Sequence, residues 1–284
     1  MTAGRAAVAT SRVSHELKIG RSAGFAGAGG LAAINALADT IIGAFAHAPV
    51  IGVIANLAGI SAVIWFAIWA ALEIGWNAPT DKFQTWDAPV LAIVVATAIV
   101  PVSDAARAGL VLCAFYAFAT TRRGEPGRRV ALLLAALTGT LVWGPLILTL
   151  FARPLLALDA HIVGGALGSA VNGNVVATVD PASQMVVGKA CSSIHNISLA
   201  IVLWCTTVAL FDLRPDRRLV AFGGAMMALM FGLNIARLCA IGLFPADYEF
   251  LHMGTGAALF GWAGLIGIGM LAALGAHDAL ARRS

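Results

Sequence analysis

Five long apolar stretches, at 49–72, 130–151, 193–211, 219–243 and 253–275, constrain this chain more than anything else in it. Each approaches the 20 or so residues that a helix needs to cross a hydrocarbon layer roughly 30 Å thick. Three weaker stretches accompany them. Residues 24–46 are rich in Ala and Gly but carry Asn35 and Asp39, while 88–102 and 108–120 are short and separated by Pro101, Asp104 and Arg107. The expectation is an all-α membrane protein, a polytopic bundle of about eight transmembrane helices in one domain over 1–284. Composition agrees. With 60% hydrophobic residues, 11% charged and a mean hydropathy of +0.89, too little polar surface exists to coat a water-soluble globule.

The basic residues give an orientation, because Lys and Arg in short loops stay on the cytoplasmic side. Eight spans place fourteen of the 18 inside: Arg5, Arg12, Lys18 and Arg21 in a basic tail over 1–22, then Lys82, Arg122, Arg123, Arg128, Arg129, Arg214, Arg217, Arg218, Arg282 and Arg283. Arg107, Arg153 and Lys189 fall outside, and Arg237 lies within a span. Both termini are then cytoplasmic. The net charge of +4 is topogenic on this reading, and no basic stripe with interleaved aromatics points to nucleic acid. The tail resembles a secretory leader only loosely, since Asn35 interrupts its apolar run, and a weak first span accounts for it better.

One connection is too long for a turn. Within 152–190 an apolar segment at 153–167 reads as a helix partly sunk in the interface, and two β-branched-rich runs flank Asp180-Pro181, the pattern of a β-hairpin. The assignment puts this hairpin on the outer face, where it delivers the chain to Cys191. It serves either as a structural lid or as an edge to which an extended peptide adds a strand.

At Cys191-Ser192-Ser193-Ile194-His195-Asn196 a thiol meets the start of a helix, where unpaired N–H groups and the positive end of the dipole favour a thiolate. Ser192 or Ser193 suits the N-cap, and Lys189 adds a nearby cation. Cys113, Cys205 and Cys239 lie within apolar runs, as small buried hydrophobes do, and four cysteines without a C-x-x-C pair carry no metal or redox signature. Cys191 taken alone is equally compatible with simple packing.

Arg237 narrows the choice. An arginine in an apolar span is expensive unless it faces a partner or a polar cavity, and Asn234 precedes it by one turn on the same face. Arg keeps its proton, so it clamps a carboxylate or carbonyl, or stabilises an oxyanion; the alternative is snorkelling to headgroups. His252, at the start of the last apolar run, is either a polar end residue or a general acid and base. His195, four residues after Cys191, shares a helical face with it and competes for that role from one turn deeper. The orientation puts Cys191, Arg237 and His252 all at the outer face.

Cys at a helix start after a hairpin, Asn-x-x-Arg in the next span and His at the head of the following one resemble the exosortase/archaeosortase family of membrane cysteine transpeptidases, over roughly 130–275. The resemblance implies Cys191 as nucleophile, Arg237 as the essential arginine and His252 in the position held by His or Arg; the reading of the residues adds Asn234, His195, Ser192 and Lys189 as supporting or substrate-binding groups. It implies as partners exported proteins bearing a C-terminal motif, a transmembrane helix and a basic tail, cleaved at the outer face of a bacterial inner membrane. A surface polysaccharide or lipid is the expected acceptor. No metal or organic cofactor is implied. The common nucleophile motif is Cys-Ser-Gly followed by an aliphatic residue; Ser193 stands here in place of that Gly, which suggests a divergent branch. Two other classes compete. A transporter or permease would show matched halves with broken helices at mid-membrane, and a rhomboid-type serine protease would need a Ser in a Gly-x-Ser setting; neither pattern is present in the sequence.

Overall fold

The computed structural model describes residues 19–283 apart from 48, 80 and 181. Arg5, Arg12 and Lys18 of the tail, and the proline of the Asp180-Pro181 turn, therefore lie outside the described residues. The chain runs α1 (Arg21–Ala36), α2 (Ala38–His47), α3 (Val50–Ala55), α4 (Ala62–Trp76), α5 (Asp87–Ile99), α6 (Ser103–Thr120), α7 (Pro126–Thr138), α8 (Gly144–Leu150) and α9 (Ala152–Leu167). Then follow β1 (Val171–Asn172), β2 (Val175–Ala177), β3 (Gln184–Val186), α10 (Ser193–Leu210), α11 (Arg217–Leu243), α12 (Tyr248–His252) and α13 (Thr255–Ala281).

Four helical segments among the described residues are long and apolar enough to cross a membrane: α7 continued through a π-helical turn (Gly139–Trp143) into α8, then α10, α11 and α13. The pair α1 and α2, bent by 47°, makes a fifth if it crosses as one. At 27 residues each, α11 and α13 reach about 40 Å. Leu259, Trp262, Ile266 and Met270 lie exposed along one face of α13, a surface suited to lipid. The remaining helices differ from the eight expected spans. α4 and α5 are apolar but only 15 and 13 residues long, roughly 20 Å. α6 has the length, yet Asp104 and Arg107 open it.

The stretch 49–72, expected as one span, is broken. Leu57 and Ala58 adopt left-handed conformations (φ 51° and 56°) after α3, and Ser61 then caps α4 by accepting from the Val63 N–H. Such a conformation costs a residue with a β-carbon about 1–2 kcal/mol, which hydropathy does not register.

Ala and Gly make α1 thin enough to sit in the middle of the first half, where Ala28, Ala32 and Ala33 are buried and α4, α5, α6 and α7 pack around it. Arg21, assigned above to the tail, opens α1 and is buried. Its Nε and Nη2 donate to the Asp87 carboxylate at 2.7 and 3.2 Å, and Nη1 donates to Thr121 Oγ1 at 2.8 Å. α10 joins the halves by packing on α4 and α7 as well as on α11 and α13.

The segment 152–190 folds into a cap on one end of the bundle. α9 stops at Gly168, whose left-handed conformation (φ 64°) terminates the helix. The expected hairpin forms as β2 and β3, with Val175 opposite Val186 and Val176 opposite Met185; two-residue β1 adds a third antiparallel strand beside β2. Val176, Met185 and Val187 turn inward against Ala160 and Val163 of α9 and Leu238 and Ile241 of α11, in a cluster that includes Cys191. The Val179 N–H donates to the Gly242 carbonyl at 3.1 Å. A β-carbon there would lie 2.5 Å from Leu167 Cδ1, so a larger residue would require that side chain to shift.

Candidate active site

Cys191 closes a single 3₁₀ turn (Lys189–Cys191), and Ser192, in extended conformation, is the N-cap of α10. The Ile194 N–H donates to Ser192 Oγ at 3.4 Å, and the Ser193 N–H donates to the buried carboxylate of Asp159, on α9, at 3.1 Å. These two acceptors satisfy donors that a helix start otherwise leaves open. The first N–H of α10 is therefore committed to Asp159 and is not free to face the thiol, a departure from the helix-end picture drawn from sequence.

The Cys191 Sγ lies 3.2 Å from His252 Nε2. This is hydrogen-bonding range for a thiol and an imidazole, with the sulfur buried. His252 does not open the last span. It ends the short α12, and Met253 and Gly254 separate it from α13. One turn earlier Tyr248 stacks on the imidazole, with ring centroids 4.8 Å apart and planes 12° from parallel. His252 Nδ1 is buried and has no hydrogen-bond partner among the described residues, so the ring is oriented by Tyr248 rather than by a carboxylate.

Asn234 connects the parts. Its Nδ2 donates to the Cys191 carbonyl at 2.8 Å and to Ser193 Oγ at 3.1 Å, which uses both amide hydrogens. Its Oδ1 accepts from Asn196 Nδ2 at 3.1 Å and meets Arg237 Nη2 at 3.5 Å. Among the described residues that long contact is the only hydrogen bond of the Arg237 side chain, and its Nε has no partner. A half-buried guanidinium with donors to spare thus faces a cavity of about 70 Å³ lined by Asn196, Asn234, Phe260 and Gly261.

The structure joins Cys191 to His252 directly and to Arg237 by way of Asn234, with Ser192 adjoining as the N-cap, and leaves two supporting residues apart. Lys189 is exposed, and its side chain makes no hydrogen bond or ion pair among the described residues. His195 does not share a helical turn with Cys191, because α10 begins only at Ser193. It lines a second cavity of about 570 Å³ between α10, α13 and the break at 56–63, which adjoins the smaller one at Asn196, Met230 and Gly261. Asp159 and Tyr248 are the participants that sequence reading missed: only tertiary contact joins Asp159 to Ser193, whereas Tyr248, one turn before His252, carried a legible spacing. Cys113 and Cys205 are buried and Cys239 is partly so; all four cysteines are free. Among the described residues no group of three or more His, Cys, Asp or Glu could hold a metal ion.

Comparison with known proteins gives one match, to the model of the transmembrane exosortase family over residues 43–269, well over half of the 284 residues. No curated protein and no solved structure matches the chain. The match spans α2 to α13, including the cap and every residue of the Cys191 cluster. The chain belongs to the transmembrane exosortase family.

Proposed function

We propose that this membrane transpeptidase cleaves C-terminal sorting signals of exported proteins at the outer membrane face, by acyl transfer through a thioester on Cys191. The observation that carries the reading is the 3.2 Å approach of Cys191 Sγ to His252 Nε2 at a helix start. His252 takes the thiol proton as the sulfur attacks a peptide carbonyl carbon. The tetrahedral adduct then collapses, the C–N bond breaks, and the imidazolium returns that proton to the departing amine. An incoming amine or water attacks the thioester, gives its proton to His252, and the thiol is restored. Arg237 is the oxyanion donor in this scheme, since both Asn234 hydrogens are already committed. β3, the outer strand of the sheet order, leads directly to Cys191 and offers a seat for an extended substrate. The acceptor is a surface polysaccharide or lipid, and the membrane is a bacterial inner membrane.

Co-expression with an exported reporter that ends in a motif, a transmembrane helix and a basic cluster tests the reading. Wild-type chain should shorten the reporter at its C-terminus and yield a hydroxylamine-sensitive adduct on Cys191. Cys191→Ala should do neither while keeping its abundance, because it removes one sulfur and little packing. Undiminished shortening by that variant defeats the proposal.

A further inference from the structure

At the end of the bundle opposite Cys191, three chain segments enclose a cavity of about 1160 Å³. They are the α6–α7 turn, the α10–α11 turn and the tail of α13, and α10 and α11 have their other ends at Cys191 and the cap. Arg123, Arg128, Arg129, Arg214 and Arg283 line it, against two acids, Glu125 and Asp212. Five cations and two anions leave a surplus of three positive charges. The acids do not quench it: Arg129 Nε reaches Asp212 only at 4.0 Å, and Glu125 accepts from the Arg122 backbone N–H. Topogenic charge alone explains arginines in these loops. It does not explain their convergence on one concavity that the apolar side chains of Phe118, Leu132 and Val208 also line. Arg128 lies over the Phe118 ring, 3.3 Å from its centroid, so a cation is fixed at the boundary between the two zones.

We propose that this cavity binds an anionic phospholipid, its phosphate held by the arginines and its acyl chains lying along Phe118, Leu132 and Val208. A phosphate-bearing anion matches the charge surplus and the planar guanidinium forks. The apolar wall at a membrane-facing helix end selects a lipid over a soluble phosphate, and basic pockets between spans are recurrent sites for acidic headgroups. The basic tail of a sorting signal is excluded by like charge. The bound lipid bridges α6 and α7 of the first half to α10, α11 and α13 of the second. The site stands independently of the peptidase reading.

The experiment uses the full chain in phosphatidylcholine nanodiscs with increasing phosphatidylglycerol, read by thermal unfolding and by the lipid retained after detergent extraction. Wild-type protein should gain stability with phosphatidylglycerol and retain it selectively. Arg123→Gln and Arg214→Gln, both exposed and outside the packed core, should each weaken retention about five-fold, whereas Arg217→Gln, basic but outside the lining, should not. Equal retention by wild type, both lining variants and the control overturns the site. Stabilisation by millimolar inorganic phosphate with no added effect of phosphatidylglycerol overturns the lipid assignment.

Discussion

The Asn234 side-chain amide holds the backbone carbonyl of Cys191 at 2.8 Å, so the proposed nucleophile is positioned through its main chain by the residue one turn from Arg237. Asn234→Ala would leave that carbonyl and the Ser193 hydroxyl without their donor inside the bundle, at a cost of about 1–3 kcal/mol. A nucleophile displaced by as little as 1 Å loses about 10²-fold in rate. Thermal unfolding and reporter processing measured together should show both effects. A variant as stable and as active as wild type would mean that the contact positions nothing.

For Arg237 the two losses should separate. The guanidinium is half-buried and weakly bonded, so Arg237→Gln should fold normally and lose about 10²–10³ in processing rate. Arg237→Lys should rescue little, because a point charge cannot reproduce the planar fork. Full activity in the Gln variant would remove the residue from the site.

The two histidines offer a paired test. His252→Asn should lower processing by about 10²–10⁴-fold and flatten its dependence on pH, since the group that exchanges the proton is gone. His195→Asn should leave both the rate and the profile near wild type, its ring being in the other cavity. Tyr248→Ala should fall between, with the pH profile kept and the rate lowered, as expected of a residue that orients the imidazole. The opposite ranking of the two histidines would transfer the proton-carrying role to His195.

Removing one partner of the buried Arg21–Asp87 pair should cost about 3–5 kcal/mol. Arg21→Met should therefore shift unfolding strongly, and the double variant Arg21→Met with Asp87→Leu should recover much of the loss. Processing per folded molecule should not change, because the pair is remote from Cys191. A single variant with unaltered unfolding would show that the pair is energetically idle.

Sidedness follows from two added cysteines in a Cys191→Ala background. Val186 is exposed on the outer strand and Arg123 is exposed at the opposite end. A membrane-impermeant thiol reagent on intact cells should label Val186→Cys and reach Arg123→Cys only after lysis. The reverse pattern would invert the orientation inferred from the basic loops.

The proposed reacting groups were legible in the sequence because each is costly where it stands. A cation in a span and a thiol or imidazole at its edge require a reason, and Cys191, Arg237 and His252 showed themselves that way. Asp159 did not. It lies on an apolar helix at the membrane edge, where a single acid is unremarkable, and only the docking of α9 gives it the Ser193 N–H. The β2–β3 pairing could be read from its β-branched runs, whereas two-residue β1 is too short to leave a pattern. The break at Leu57 and Ala58 was hidden because apolar residues report burial and are silent about backbone dihedrals.

The excursion from Val179 to Cys191 is fastened at both ends to α11, by Gly242 and by Asn234. Two anchor points roughly two turns apart on one rod tie the sheet edge and the thiol to the same helix that carries Arg237. The imidazole rides on α12, which packs into the same buried cluster through Leu251 and meets the sulfur at 3.2 Å. On the proposed reading, a peptide carbonyl therefore has to meet the sulfur from a side that His252 leaves open.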